Sequence, residues 1–111
     1  MTILKKRSDF LAAQSGDRAG SSAFLLIRGR TPNGLVTARV GFTVTKKIGK
    51  AVLRNRVRRR LREAARRVFP EFATPGFDYV FIARPAAESR DFALLLDDMK
   101  RGLLRLAALP K

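Results

Sequence analysis

Lysine and arginine are concentrated in one stretch of this chain, where they could bind phosphate groups. Between Lys46 and Arg67 the sequence holds eleven basic residues and one acid, Glu63, so this stretch carries a net charge of +10 out of +15 for the chain. So many like charges repel one another, which does not stabilise a fold. Binding to a nucleic acid is favoured instead, because each phosphate that a cation neutralises releases condensed counterions. Guanidinium suits this chemistry because its planar fork donates paired hydrogen bonds to phosphate. The stretch therefore predicts a surface that binds a polyanion.

Nine residues of this stretch are candidate contacts to a nucleic acid. Asn55 differs from the others because it is uncharged, and its amide could cap the turn or hydrogen-bond a base edge or a metal-bound water. A surface that only improves solubility usually mixes charges of both signs, which favours binding here. The nine candidates are Lys46, Lys47, Lys50, Arg54, Asn55, Arg56, Arg58, Arg59 and Arg62.

A second group of candidates lies near the N-terminus, where an aromatic ring follows three cations. Aromatic residues among cations are typical of surfaces that bind single-stranded RNA, because bases stack on the rings and cations hold the backbone. For any one phenylalanine, packing in the core is the more common alternative. The candidates are Lys5, Lys6, Arg7 and Phe10.

The side chains that most hydrolytic enzymes use are missing from the sequence. Histidine and cysteine are absent, which removes the usual general base near neutral pH, the usual zinc ligands and any disulfide. The adjacent acids Asp97 and Asp98 would point about 100° apart on a helix and would make a poor two-metal site. Serine and threonine have no base to activate them. We therefore expect no catalytic residue and no metal site in the polypeptide.

The composition indicates one folded domain that carries both groups of candidates. The 111 residues are 46% hydrophobic, which is enough for one core, so we expect a single domain over residues 1–111. No apolar run reaches the ~20 residues of a membrane span, and the N-terminus lacks the apolar segment of a signal peptide. The absence of cysteine permits a reducing compartment. These features favour a cytoplasmic protein without a membrane partner.

Hydrophobic periodicity predicts that the basic stretch forms a helix within an α+β fold. Apolar residues recur there at helical spacing, and they alternate or run together in three segments that predict strands. The first two strands flank a turn at 31–34 and should pair as an antiparallel hairpin. The order helix, hairpin, helix, strand, helix predicts a single two-layer α/β sandwich with an open groove. The expected elements are helices over 8–14, 51–68 and 89–109 and strands over 23–27, 35–44 and 77–83.

Local signals predict where these elements begin and end. Ser8 and Ser89 could cap the first and last helices, because a side-chain oxygen can accept a backbone N–H there. Pro70 should end the middle helix, and the small, polar segment 16–22 should be a loop. The strand over 77–83 is apolar on both faces and should therefore lie at the centre of the sheet.

With these residues the chain resembles the protein subunit of bacterial ribonuclease P. The segments KKIG at 46–49 and AVLRNRVRR at 51–59 match the family signature, with Thr45 in the place of its serine. The basic N-terminal segment that ends at Phe10 also fits, as does YVFIARP at 79–85. The resemblance covers nearly the whole chain, and the arginine motif in its strand–turn–helix setting is specific.

The resemblance implies a fold, an activity and partners. Family members bind a catalytic RNA, and the holoenzyme, an endoribonuclease, removes the 5′ leader from precursor tRNA. The RNA carries out the hydrolysis with bound Mg²⁺, so the polypeptide alone would be non-catalytic, hold no cofactor and need no obligate protein partner. The family fold is a small α/β sandwich with a left-handed β-α-β crossover, which is the opposite of the usual handedness.

The resemblance also implies roles for the candidate residues. The arginine helix over 51–68 would face the catalytic RNA near its active centre, with the two lysines of the preceding turn beside it. Phe10 would line a cleft between the sheet and the first helix, where the single-stranded leader runs. Gln14 and Ile27 stand where some relatives have aromatic residues, which would weaken leader stacking or shift it to other contacts.

Composition and fold class by themselves leave other functions open. A structural RNA-binding protein of the ribosomal type fits both equally well, and only the arginine motif separates the two. A self-sufficient nuclease would need a general base that a chain without histidine hardly offers. A non-specific DNA-binding or membrane-surface protein would bind any polyanion equally well at matched salt.

Overall fold

The computed structural model describes residues 2–109. Strands and helices alternate irregularly along this part of the chain, and all the strands join one sheet. Residues 1, 110 and 111, which the expected domain includes, lie outside the described part. The elements are β1 (Thr2–Ile3), α1 (Arg7–Gln14), β2 (Asp17–Gly20), β3 (Phe24–Arg28), β4 (Arg39–Thr43), a 3₁₀ helix (Lys46–Ile48), α2 (Ala51–Phe72), β5 (Asp78–Ala83), a second 3₁₀ helix (Pro85–Ala87) and α3 (Phe92–Ala107). The five strands lie in the order β1-β4-β5-β3-β2.

β5 lies at the centre of the sheet, as its apolar residues on both faces predict. It pairs in parallel with β4, where Phe42 lies opposite Phe81, and antiparallel with β3, where Leu26 lies opposite the same residue. The predicted hairpin is therefore wrong, because β5 separates β3 from β4. A strand that is apolar on both faces buries the most apolar surface when it has a neighbouring strand on each side. Local turn residues do not indicate such pairing between distant segments. β4, α2 and β5 form a parallel β-α-β unit. The family resemblance implies a left-handed crossover for this unit.

The strands β2 and β4 differ most from the sequence-based expectation. The predicted loop over 16–22 contains β2, which pairs antiparallel with β3 and buries Ala19. Gly16 precedes it with no room for a side chain, because a Cβ there would overlap a backbone carbonyl of β3. β4 is shorter than the predicted strand over 35–44, and Val36 is 90% exposed. The formation of a short strand depends more on its neighbouring strands than on its own sequence pattern, so periodicity predicted the wrong bounds for these strands.

The first and last helices begin at residues other than the predicted serine caps. α1 begins at Arg7, so Ser8 lies inside the helix and its side chain does not cap it. α3 is capped by Asp91, whose Oδ1 accepts the backbone N–H of Ala93 at 2.9 Å. The predicted cap Ser89 lies before this residue in the turn after β5. Serine is a residue type that often caps helices, but the path of the preceding chain sets the residue at which each helix begins.

Pro70 does not end α2, which continues to Phe72. Phe69 is buried, and its ring centroid lies 5.2 Å from that of Tyr79 in the sheet. The backbone N–H of Ala73 closes the helix on the carbonyl of Phe69 at 3.0 Å. Packing of this last turn against the sheet therefore outweighs the helix-breaking preference of proline.

The apolar stripe of α2 forms one side of the main core. Val57, Leu61 and Val68 are buried against α3 and the sheet, as the helical spacing predicts. α1 packs on the opposite face of the sheet, where Ala13 joins Val80 in a smaller cluster. The predicted α+β fold with helices packed on a sheet is confirmed, and α1 adds a partial layer on the other side. Within residues 2–109 no helix has the length and apolar character to cross a membrane.

An ion pair joins β4 to β5 at their first residues. Arg39 donates to Asp78 through Nε at 2.8 Å and Nη2 at 2.7 Å, and Asn33 Nδ2 donates to the same carboxylate at 2.9 Å. Burial by itself would raise the pKa of Asp78, but these hydrogen bonds and the charge of Arg39 outweigh it and lower the pKa below its usual value. The carboxylate is therefore held ionised, and it fastens the β3–β4 connection to the sheet.

Replacing Asp78 with asparagine should lower the free energy of unfolding by about 1–3 kcal/mol near neutral pH. The pKa of Asp78 is lower in the folded state than the ~3.9 of unfolded aspartate. Its stabilisation is therefore present above that value and is lost as the pH falls through the folded-state pKa. Urea unfolding of both proteins should show the difference shrinking in strong acid. Asp97→Asn, at an exposed acid, is the control, and an equal loss there would contradict the assignment.

Candidate nucleic-acid interface

A glycine turn brings two of the candidate lysines to the start of α2. Ile48, at the end of the first 3₁₀ helix, is buried and anchors the turn to the core. Gly49 has a φ of +143°, which residues with side chains rarely adopt, and a Cβ there would lie 2.7 Å from Leu53 Cδ2. Lys46 and Lys47 remain exposed on this turn. Their ammonium groups therefore border the N-terminal end of the arginine helix.

The other seven candidates lie on the first turns of α2 and at the residue that precedes it. Because Val57 and Leu61 face the core, the helical period puts Arg54 and Arg58 at the margin of the buried stripe. Asn55 Oδ1 accepts a hydrogen bond from Arg58 Nη1 at 3.1 Å, so the amide orients a guanidinium. Arg54 and Arg58 are half-buried, and Lys50, Asn55, Arg56, Arg59 and Arg62 are exposed.

Arg54 carries a buried donor without a partner. Its Nε is shielded from solvent, and no acceptor within residues 2–109 forms a hydrogen bond with it. A buried N–H left unpaired costs roughly 1–3 kcal/mol, and folded proteins keep few such groups. A ligand could supply the missing acceptor only if the Arg54 side chain turned this donor outward.

Three other arginines of the basic stretch are held by partners inside the protein. Arg60 donates to backbone carbonyls in the segment before α3, at 3.1 Å for Ala87. Arg66 and Arg67 both pair with Glu63, the latter at 3.7 Å. By contrast, none of the charged candidates on the turn or on α2 has an acidic partner among residues 2–109. The structure thus separates arginines that have a partner elsewhere in the protein or in Glu63 from cations without an acidic partner in the described part of the chain.

A groove of about 480 Å³ lies between α1 and the end of β4. Three of the N-terminal candidates contribute to its wall, whereas Lys6 precedes α1 and is not part of the lining. The ring of Phe10 rests directly on Gly41, where any Cβ would overlap it. The groove is lined by Lys5, Arg7, Phe10, Leu11, Gln14, Phe42 and Thr43. It therefore combines cations, two aromatic rings and an amide along one open channel.

Sequence reasoning missed the β4 side of this groove. The alternation of β4 assigned Phe42 to the core face, and its ring does stack on that of Phe81 with centroids 5.7 Å apart. Its position beside Gly41, a gap in the row of side chains, was the available signal. Gln14 lines the groove, whereas Ile27 is fully buried and is not part of the wall.

The adjacent acids of α3 point apart, as helical geometry predicts. Asp98 is buried and pairs with Arg90 and Arg101, whereas Asp97 is exposed. Within the described part of the chain, no group of three or more acidic side chains is placed to hold a metal ion. The turn, α2 and the groove offer guanidinium and ammonium donors, amides and aromatic rings, which are groups that bind phosphates and bases.

Comparison with known proteins identifies relatives along nearly the whole chain. The family model described as Ribonuclease P matches residues 2–107. The ribonuclease P protein component of Caulobacter vibrioides strain NA1000 / CB15N is 55% identical over 106 residues, which cover 95% of this chain and 70% of the relative. That of Ruegeria pomeroyi is 49% identical over 110 residues, covering 97% and 88%.

Solved structures agree with the sequence matches. The RNase P protein from Thermotoga maritima is 31% identical and superposes with a TM-score of 0.79, covering 95% of this chain and 97% of that chain. The Staphylococcus aureus RNase P protein is 26% identical with a TM-score of 0.76, covering 97% and 96%. These matches favour a ribonuclease P subunit over an RNA-binding protein of the ribosomal type. The chain belongs to the family of ribonuclease P protein components.

Proposed function

We propose that this chain, as the protein subunit of ribonuclease P in tRNA 5′ processing, binds the ribonuclease P RNA and the single-stranded leader of precursor tRNA on two separate surfaces. The first, named here the arginine surface, consists of Lys46, Lys47, Lys50, Arg54, Asn55, Arg56, Arg58, Arg59 and Arg62. The second, named the leader groove, is the groove of about 480 Å³ beside Phe10. Both work in the cytoplasm, without an obligate protein partner.

The division of charges along α2 is the observation that carries the first part of the proposal. Arg60, Arg66 and Arg67 are held by internal partners, so they are less available to an RNA. The cations of the arginine surface have no acidic partner among residues 2–109, and Arg54 keeps a buried donor unpaired. RNA phosphates would neutralise these charges and release counterions.

The chemistry of the leader groove supports the second part. Phe10 is half-buried and held against Gly41, so its ring is ordered before a base arrives. Lys5 and Arg7 lie on the same groove wall, where they can hold the phosphates that follow a stacked base. An open groove lined by aromatic rings suits a single strand better than a duplex. Lys6, outside the wall, would contribute only to the local field.

We assign the hydrolysis and its Mg²⁺ to the RNA partner. The arginine surface consists mainly of cations, and the lining of the leader groove holds two cations, Lys5 and Arg7, and no acidic residue. Cations repel metal ions and do not ligate them. The polypeptide would instead neutralise phosphates, which brings the RNA and the substrate together at lower Mg²⁺ concentration. Its contribution to the reaction is therefore to bind and orient RNA.

Cleavage of a precursor tRNA by a bacterial ribonuclease P RNA at low Mg²⁺, with and without this protein, tests the proposal. We expect cleavage at the mature 5′ end when both are present and none with the protein alone. Cleavage by the protein alone would move catalysis into the polypeptide. No stimulation of the RNA, despite tight binding of other structured RNAs, would overturn the proposed division of labour.

Replacing Phe10 with alanine should weaken binding of leader-bearing precursor tRNA to the reconstituted holoenzyme. Loss of one base-stacking contact corresponds to roughly 1–3 kcal/mol, or about 5- to 150-fold in Kd. Affinity for mature tRNA, which has no leader, should stay unchanged, and so should affinity of the protein for the ribonuclease P RNA. An equal loss with mature tRNA would show that Phe10 acts on the fold or on the RNA.

Replacing Gly41 with alanine tests the same groove without removing the ring. The new methyl group would overlap Phe10 and push its ring into the groove. We expect weaker binding of leader-bearing precursor with little change in affinity for the ribonuclease P RNA. Thermal unfolding provides the control for folding, and unchanged precursor binding by a folded Gly41→Ala protein would contradict the placement of the leader.

A further inference from the structure

Outside both proposed surfaces, three arginines surround a pocket between β2 and α3. The pocket has a volume of about 260 Å³. One wall is the chain over 19–22, which has only small side chains, and the other is one side of α3 with the segment before it. Its charged lining is Arg90, Asp98, Arg101 and Arg105. Three cations and one anion leave this region, named here the α3 pocket, positive.

A buried carboxylate orients two of these guanidinium groups. Asp98 is only 5% exposed. It accepts hydrogen bonds from Arg90 Nε at 3.0 Å and Nη2 at 3.1 Å, and from Arg101 Nη2 at 3.0 Å. Each guanidinium has more N–H donors than these bonds use, so both keep donors for a ligand. Because Asp98 holds them in the free protein, less entropy is lost when an anion binds.

Arg105 has no comparable internal role. It follows Arg101 by one helical turn on the same side of α3. Its side chain is exposed, and no acidic side chain among residues 2–109 pairs with it. Arg105 lies in the last turn of α3, where a cation suits the helix dipole. At the edge of an already positive pocket the same charge would also attract an anion.

α2 connects the α3 pocket to the arginine surface. Arg60 donates to the backbone carbonyls of Ala87 and Arg90, so Arg90 is held by α2 as well as by Asp98. Arg56 lies one turn before Arg60 on the same helix and is exposed. A polyanion bound along the arginine surface would therefore lie on the helix that also positions one wall of the pocket.

We propose that the α3 pocket binds a phosphate group of an RNA backbone and gives the protein a second RNA contact, on the side of α3. Arg101 and Arg105 donate to the phosphate, and the less exposed Arg90 adds positive charge to the pocket. The inference rests on the proposed function, because it takes the ligand to be RNA. The phosphate belongs either to the ribonuclease P RNA or to precursor tRNA, and two binding measurements separate these sources.

The test uses the double variant Arg101→Ala, Arg105→Ala, with Arg105→Ala alone as a second variant. The latter keeps the Asp98 pairing, so it tests the pocket even if the double variant folds poorly. Arg30→Ala is the matched control. The side chains of Arg30 and Arg101 are both 71% exposed, and each forms one ion pair, that of Arg30 being to Asp17 at 3.8 Å. Arg30 lies outside the α3 pocket, the arginine surface and the leader groove.

The first measurement is the Kd of the protein for ribonuclease P RNA, and the second is the Kd of the reconstituted holoenzyme for precursor tRNA. We expect the double variant to weaken one of them by roughly 10-fold or more and to reduce its salt dependence by about one to two phosphate contacts. Arg105→Ala should give a smaller loss in the same measurement, and Arg30→Ala less than about 2-fold. A loss in the first measurement assigns the phosphate to the ribonuclease P RNA, and a loss only in the second assigns it to precursor tRNA.

The proposal is overturned if both measurements are unchanged in the pocket variants, or if Arg30→Ala loses as much affinity as they do. The double variant Arg54→Ala, Arg56→Ala, measured in parallel, separates this failure from failure of the proposed function. If it loses RNA affinity while the pocket variants do not, only the α3 pocket is excluded. If neither set loses affinity, the arginine surface is excluded as well.

Discussion

Replacing Arg54 and Arg56 together with alanine should weaken binding of the ribonuclease P RNA by about 2–6 kcal/mol, because each guanidinium that donates to a phosphate contributes about 1–3 kcal/mol. This corresponds to roughly 30-fold to 20,000-fold in Kd. The salt dependence should fall by about two phosphate contacts. Titration of the RNA at several salt concentrations measures both quantities.

The same double variant should fold as well as the parent protein. Arg56 is exposed, and the buried Nε of Arg54 has no hydrogen-bond partner within residues 2–109. Removing an unpaired buried donor relieves a cost rather than breaking a contact. We therefore expect the free energy of unfolding to change by less than about 1 kcal/mol, so that loss of RNA affinity reports on the contact itself.

Arg66→Ala, Arg67→Ala is the matched control, because it removes the same charge from the same helix. Both side chains pair with Glu63, and we expect a much smaller loss of RNA affinity. If the two double variants lose affinity equally, the RNA responds to the net charge of α2 and the arginine surface has no special role. Wild-type affinity in the Arg54 and Arg56 variant would also refute the placement.

Replacing Leu61 with alanine should lower the free energy of unfolding by about 2–5 kcal/mol, the usual range when a buried leucine leaves a cavity. Leu61 is fully buried, and it lies on the same stripe of α2 as Val57 and Val68 in the main core. Small domains have only about 5–15 kcal/mol of stability in total, so this one substitution removes a large share of it. Urea unfolding monitored by circular dichroism measures the change in midpoint.

Val52→Ala is the control for Leu61→Ala, because Val52 lies on the same helix but is 83% exposed. It should change the free energy of unfolding by less than about 0.5 kcal/mol. Under conditions where Leu61→Ala is still folded, its affinity for the ribonuclease P RNA should equal that of the parent. If Leu61→Ala lowers the free energy of unfolding by less than about 1 kcal/mol, the core collapses around the cavity or α2 packs loosely on the sheet.

Together these variants separate two functions that α2 combines. Leucine and valine at helical spacing hold the helix on the sheet, and the arginine surface is proposed to bind RNA. The predictions differ in their readout, since the core variant changes stability and the arginine variant changes RNA affinity. If either substitution moved both quantities strongly, packing and RNA binding would not be independent.

Much of this arrangement is readable from the sequence, because it depends on local periodicity. The 3.6-residue period of Val57, Leu61 and Val68 specifies which side of α2 is buried. The same period places the arginines between them on other sides of the helix. The RNA-binding candidates could therefore be predicted from the sequence alone. The double-sided apolar character of 77–83 likewise predicted that β5 is central. In each case residues close in the chain carry all the information.

Contacts between distant segments were decided only by the tertiary structure. β5 separates β3 from β4, and β2 forms because β3 offers it an edge; neither pairing leaves a local signal. The leader groove depends on Phe10 meeting Gly41 across α1 and β4, and the partner of Arg60 is the distant Ala87. Local sequence specifies which faces are apolar or charged, whereas the partner of each face follows from which arrangement buries the most apolar surface.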